Sequence, residues 1–220
     1  MVLGRGTWSQ NDCLDRRLTG LQAINGKKKI ELNIVLKKWI RLLLNGHHLT
    51  LLAGNDAHGN FNCYRQIKIP FLKMTFSRNH RLGYFRTGVL ANDSSLQNII
   101  SGIRKGRTVI SNGPFAIVRL INKEISEIGD TVKRTDTCKI NIIARCISEY
   151  GSWENITLFF GHMKQKEEIK KHIQFDNKKL NFDIQIPLPK FDFNYLRLEA
   201  TTKNNCETRF CLTNPIWIER

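Results

Sequence analysis

The second half of the chain alternates apolar and polar residues with a period of two, and few folds accept that pattern. Ile140, Ile142, Ala144 and Cys146 alternate with Lys139, Asn141, Ile143 and Arg145, and Leu180, Phe182, Ile184 and Ile186 alternate with Asn181, Asp183 and Gln185. Ile156, Leu158 and Phe160 alternate with Thr157 and Phe159. Leu196, Leu198 and Ala200 alternate with Arg197 and Glu199, and Ile216 and Ile218 flank Trp217. Successive side chains of a strand point to opposite faces, so each segment reads as a strand with one face buried. Several short strands separated by polar turns predict an antiparallel β-sandwich over residues 115–220. The hydrophobic share is 41%, enough to fill such a core and too high for a disordered chain.

The first half reads differently. Leu32, Val35, Leu36, Trp39, Ile40 and Leu43 recur at helical spacing, which predicts a helix from about Ile30 to Asn45 with one broad apolar stripe. Gly46 follows it as a C′ glycine would. Leu49 to Leu52 is a short apolar run of the kind a buried strand uses, and a helix leading into such a strand is half a βαβ unit. Gly59 to Ala91 is a long connection rich in aromatic and basic residues. Asn92-Asp93-Ser94 supplies cap chemistry for a second helix, whose apolar face is Leu96, Ile99, Ile100 and Ile103, closed by Gly106. Arg107 to Ser111 and Phe115 to Leu120 read as strands joined by an Asn112-Gly113-Pro114 turn of hairpin composition. The helices stop near Phe115, which places a boundary between residues 1–114 and 115–220.

The strand that begins at Leu49 ends in Gly54-Asn55-Asp56-Ala57-His58-Gly59. Asp56 and His58 stand two apart, so in an extended chain a carboxylate and an imidazole project to the same side. These are two of the ligand types that hold a catalytic divalent metal. A surface turn with a capping Asp and an ordinary His gives the same spelling. The long connection leaves directly from this point. Within it, Arg65 offers a guanidinium suited to an anionic substrate, although a surface ion pair is an equally ordinary use of an arginine. Asn112 is a hairpin-turn residue first, and a role in binding substrate would need a family resemblance to carry it.

Several blocks occur together in order: Trp39-Ile40-Arg41-Leu42-Leu43-Leu44-Asn45-Gly46, the Leu49–Gly59 stretch, Gly106-Arg107-Thr108-Val109-Ile110-Ser111-Asn112-Gly113-Pro114, and Thr213-Asn214-Pro215-Ile216-Trp217. In this order they resemble the carbaryl-hydrolase-like branch of the PHP (polymerase and histidinol phosphatase) family. Gly20 to Gly26 is similar to that family's preceding strand and Asn-Gly turn. The resemblance implies an α/β or α+β fold, with residues 1–114 as the C-terminal part of a distorted βα barrel and a sandwich behind it. It also implies hydrolysis of phosphate, carboxylic or carbamate esters by a metal-activated water. Asp56 and His58 match the family's last ligand motif, with a divalent zinc, manganese or iron as the expected cofactor. The chain departs from the family at its other ligands. It has no His-x-His; its histidines are His47, His48, His58, His80, His162 and His172. The site is therefore expected to be incomplete, and the chain inactive alone or dependent on a partner that carries the remaining ligands.

The charge opens another reading. Lys and Arg number 35 against 19 Asp and Glu, a formal net charge of +16. Such a surface attracts polyanions, and a β-sandwich binding module for a polyanion or a protein partner is the alternative to a hydrolase. No Gly-x-Ser-x-Gly, P-loop or dinucleotide fingerprint is present. The six cysteines form no Cys-x-x-Cys pair and read as free thiols, with Cys138 and Cys146 in or beside a strand. No apolar run approaches the roughly 18 residues of a membrane span, and Met1 to Trp8 lacks a signal pattern, so a cytoplasmic location is the expectation.

Overall fold

Two sheets face each other across the main core, and a βαβ unit lies on the outside of the larger one. The computed structural model describes residues 15, 17–25, 29–55, 83–135 and 137–219. The order of elements is β1 (Gly20–Asn25), α1 (Lys29–Leu44), β2 (Thr50–Gly54), β3 (Arg86–Val89), α2 (Leu96–Arg104), β4 (Thr108–Ser111), β5 (Phe115–Ile121) and β6 (Ile125–Ser126). Then follow β7 (Thr131–Lys133), β8 (Lys139–Arg145), a 3-10 turn at Ser148–Tyr150, β9 (Ser152–His162), β10 (Glu167–His172), β11 (Asn181–Pro187), β12 (Tyr195–Lys203), β13 (Thr208–Thr213) and β14 (Ile216–Glu219).

The larger sheet runs β10-β9-β12-β13-β4-β3, with β14 paired to β12 and β7 to β14; the smaller runs β11-β8-β5-β6. Ile140, Ile142 and Ala144 from the smaller sheet meet Ile156, Leu158, Phe160, Leu196, Leu198 and Ala200 from the larger one, all essentially inaccessible. These are the inward positions that the period-two pattern predicts. Phe182, Ile184 and Ile186 are only half buried because β11 is an edge strand. The residues between the inward set, Phe159, Arg197, Thr157 and Glu199, face outward, where the third layer sits.

Two expectations about connectivity change. The segments on either side of Asn112-Gly113-Pro114 do not form a hairpin: β4 pairs with β13 and β3, whereas β5 pairs with β8 and β6. The turn carries the chain from one sheet to the other. The division between residues 114 and 115 thus coincides with a change of sheet, while β3 and β4 from before it are hydrogen-bonded into the sheet built from residues after it. A turn residue does not encode which sheet its flanking strands join.

β1 and β2 are parallel, with α1 as the crossover, so the half-unit expected from the sequence is a complete βαβ unit. Among the described residues the parallel sheet stops at these two strands and does not close into a barrel. The second edge of β2 is held by side chains instead of a strand. The Leu51 amide donates to Asn214 Oδ1 at 2.8 Å, and the Thr108 hydroxyl donates to the Leu51 carbonyl at 3.0 Å. The Ala53 amide donates to Thr87 Oγ1, whose hydroxyl donates back to the Ala53 carbonyl, both at 2.9 Å. Asn214 Nδ2 also donates to the Thr108 carbonyl at 3.0 Å. Leu51, Thr108 and Asn214 are buried, where an unpaired backbone donor or acceptor is costly.

α1 covers the unit. Leu36, Trp39, Leu42 and Leu43 are buried against Leu51, Ile110, Tyr195, Leu212 and Trp217, a second core on the outer face of the larger sheet. The Trp39 indole donates to the Leu49 carbonyl at 2.8 Å, tying the helix to the start of β2. Gly46 sits at φ +82°, with Gly46 N donating to Leu43 O and His47 N to Leu42 O, the Schellman closure its position predicts. α2 differs from expectation in two ways. Its cap is Ser95, which accepts from Asn98 N, while Asp93 in turn accepts from Ser95 N. Its contact with the sheet is made through Gly102: a Cβ there would lie 2.7 Å from Val89 Cγ1. The predicted apolar face is largely open, with Leu96 at 68% exposure. A helix can approach a backbone most closely where it has no side chain.

Beneath α1 lies a buried arginine. Arg197 is fully inaccessible and donates to Glu168 from Nε at 2.7 Å and from a terminal nitrogen at 2.6 Å; its other terminal nitrogen reaches Glu199. Its guanidinium lies 4.1 Å from the centroid of Phe159 and 5.6 Å from that of Trp39. Burial alone would pull Arg197 down, but the two carboxylates outweigh it and hold the guanidinium above its ordinary range. Tyr195 donates to the same Glu168 at 2.8 Å, with its ring laid across Gly161, where any Cβ would run into the ring.

Two outcomes follow for stability in urea. Asn214→Ala leaves Leu51 N without an acceptor and removes a donor from Thr108, and it should lower stability by about 3 kcal/mol. Glu168→Gln should lower it by about 3 to 5 kcal/mol by leaving Arg197 short of charge compensation, whereas the paired change Arg197→Met with Glu168→Leu should recover most of the loss. A double-mutant cycle without that recovery would contradict the pairing.

Candidate functional site

The carboxyl ends of β1 and β2 come side by side, with Asn25 opposite Gly54. In parallel βα units this end is where ligands bind. The polar groups there are Gln22, Asn25 and Asn55. Gln22 Nε2 donates to Asn25 Oδ1 at 3.1 Å. Asn55 clamps the chain just before β3: it accepts from Phe85 N at 2.6 Å and donates to the Phe85 carbonyl at 2.8 Å. Both ends of its amide help to position the strand end. Asp56, His58 and Arg65 lie outside the described residues.

One residue before that clamp begins a cluster of arginines and tyrosines. The Tyr84 hydroxyl donates to Glu207, and Glu207 pairs with Arg209 at 3.1 Å. Arg209 donates to the Asn112 carbonyl at 2.7 Å and lies 4.9 Å from the centroid of Tyr150 and 5.9 Å from that of Tyr84. Arg86 approaches Tyr150 as well: its guanidinium is 5.7 Å from the ring centroid and donates to the hydroxyl at 3.1 Å. A single tyrosine ring thus serves two guanidiniums. Tyr150 is held by the Thr202 hydroxyl, which donates to its carbonyl at 2.8 Å. Gly113 makes room, since a Cβ there would stand 2.7 Å from Arg209 Cδ and 3.1 Å from Tyr150 Cγ.

Asn112 is 4% exposed and belongs to the wall of this cluster. Its Oδ1 accepts from Phe210 N at 2.7 Å and its carbonyl receives Arg209, so it braces β13 against the turn. The cluster itself draws on β3, the 3-10 turn and β13. Sequence reasoning singled out Asn112 but missed Arg209, Tyr150 and Glu207, which stand apart in the chain and carry no local signature. Arg86 and Tyr84 were noted only as members of a basic and aromatic stretch.

The described histidines do not assemble. His48 stacks on Trp217 with centroids 3.7 Å apart, and burial lowers its proton affinity. His172 meets Thr157 and Asn155, and His162 accepts from Gln165 N. Among the described residues no group of three or more His, Cys, Asp or Glu converges as a metal site. The described thiols are poor nucleophiles where buried: burial pushes Cys138 and Cys146 up, and Cys211 up to about 12. No described helix is long and apolar enough to cross a membrane.

Comparison with protein-family models, curated proteins and solved structures finds no match for this chain.

Two measurements check the site's construction. Iodoacetamide at pH 8 should label exposed Cys206 and leave Cys211 unmodified in the folded protein, read by peptide mass spectrometry. Arg209→Met should lower stability by about 2 kcal/mol, because the Asn112 carbonyl loses its donor and Tyr150 its cation.

Proposed function

We propose that this chain contributes part of a metal-dependent hydrolase for phosphate or carboxylic esters, with Asp56 and His58 as two ligands of a divalent zinc, manganese or iron. The single observation that supports the reading is the position of β2. It ends a βαβ unit at the end where such units bind ligands, and Asn55 fixes that end immediately before Asp56 in the sequence. Two ligands hold a cation weakly, and a catalytic centre uses three or more. The described residues supply no further ligand cluster, so on this reading the remaining ligands come from outside them or from a partner chain. A divalent cation held there supplies Lewis acidity toward the ester. The part played by this chain's described residues is to anchor the strand end and to set a basic, aromatic wall beside it. Alone, the protein is expected to hydrolyse a generic phosphate ester at no more than background rate.

The test is metal uptake. The purified protein, Asp56→Ala and His58→Ala are each equilibrated with zinc or manganese, and bound metal is measured. Weak uptake by the unaltered protein that falls in both variants is the expected result; equal uptake by all three overturns the reading.

The net charge of +16 favours a second reading, a non-enzymatic sandwich module that binds a polyanion. Its affinity for nucleic acid should fall steeply between about 50 and 200 mM salt, and a flat response counts against it.

A further inference from the structure

We infer that Arg86, Tyr150 and Arg209 form a binding site for the phosphate group of a small phosphate ester, on the outer rim formed by β3, β13 and the 3-10 turn. The inference does not rest on Asp56 or His58.

Among the described residues, one carboxylate faces the two guanidiniums of the cluster. Among the described residues, Glu207 is the one carboxylate that pairs with either guanidinium, and it pairs with Arg209. Glu207 is further committed to the Tyr84 hydroxyl. Arg86 is exposed and gives one donor to Tyr150, and no described carboxylate pairs with it. Arg209 is anchored by the Asn112 carbonyl and Glu207, yet its Nε is buried with no acceptor. Glu207 offsets one of the two positive charges gathered at this ring, and the second attracts an anion.

The geometry also suits a phosphate. The Tyr150 hydroxyl accepts from Arg86 and keeps its own proton to donate. An arginine fork and a hydroxyl side by side offer the several convergent donors that a tetrahedral oxyanion takes. Arg209, paired with Glu207, braces the ring without needing to touch the ligand. Thr202 fixes the backbone of Tyr150 through its carbonyl, and Gly113 lets the ring pack tightly, so the hydroxyl is placed before any ligand arrives. One fork and one hydroxyl satisfy a single phosphate group; a long polyanion would need a continuous track of such groups.

Calorimetric titration with inorganic phosphate and with phenyl phosphate tests the assignment. Saturable binding of both is expected, weakened at least about tenfold in Arg86→Ala, by a smaller factor in Tyr150→Phe, and to an intermediate degree in Arg86→Lys. Arg86 is exposed, so its variants should fold, which thermal melting confirms independently. Titration in EDTA should give the same binding, because no metal takes part. Three results would overturn the inference: no saturable phosphate binding by the unaltered protein, equal binding by Arg86→Ala, or loss of binding in EDTA. Tight binding of a single-stranded oligonucleotide, growing with its length while phenyl phosphate fails to bind, would also overturn it in favour of a polyanion surface.

Discussion

The whole arrangement depends on how an open strand edge is closed inside the protein. β2 pairs with β1 on one side only, and its other side is buried against the larger sheet. A second strand is not available there, so Asn214, Thr108 and Thr87 supply the donors and acceptors that a strand would have offered. Asn214 reaches β2 and β4 at once, from the turn between β13 and β14. Without that substitution, burying the βαβ unit would strand polar groups away from water. With it, α1 can bring Trp39 and Leu43 down on the sheet, and the end of β2 is delivered beside β3 and β13.

The buried arginine answers a related difficulty. The outer face of the larger sheet is solvated over part of its area and covered by α1 over the rest. Arg197 sits under the cover, with a bidentate carboxylate on one side and aromatic faces above and beside it. A hydrophobic residue would fill the same space with less desolvation. What the ion pair adds is orientation: Glu168 joins β10 to β12, and Tyr195 lies across Gly161 to reach the same carboxylate. The interaction ties the edge strand, the central strand and the helix into one geometry. The phosphate site we infer is the exposed counterpart, in which guanidiniums again lie against aromatic rings but charge compensation is incomplete.

Much of this was legible locally. The alternation at residues 140 to 146, 156 to 160 and 196 to 200 marks the inward faces, because a strand's two faces are spelled by neighbouring residues. The stripe from Leu32 to Leu43 and the glycine at 46 mark α1 and its end for the same reason. The metal-ligand candidates Asp56 and His58, with Arg65, fall outside the described residues. Asn112 was read as a turn residue with a possible ligand role, and it proves to be a buried brace. Arg209, Tyr150 and Glu207 escaped notice because each is ordinary among its own neighbours.

By itself, then, the sequence determined element type where the pattern is strong: the strands β2, β4, β5, β8, β9, β11, β12 and β14, and where α1 begins and stops; β3, lying in what reads as a long connection, and β10 and β13 carry no such pattern. These are short-range properties, set by the period of the backbone and the chemistry of adjacent side chains. Tertiary structure alone decided which edges meet, that β4 and β5 part into different sheets, that Gly102 is the contact of α2, and that two arginines share one tyrosine. Leu51 and Asn214 are 163 positions apart. No local pattern encodes such a bond, because its partner is selected only when burial of the surrounding apolar surface leaves the backbone of β2 in need of one.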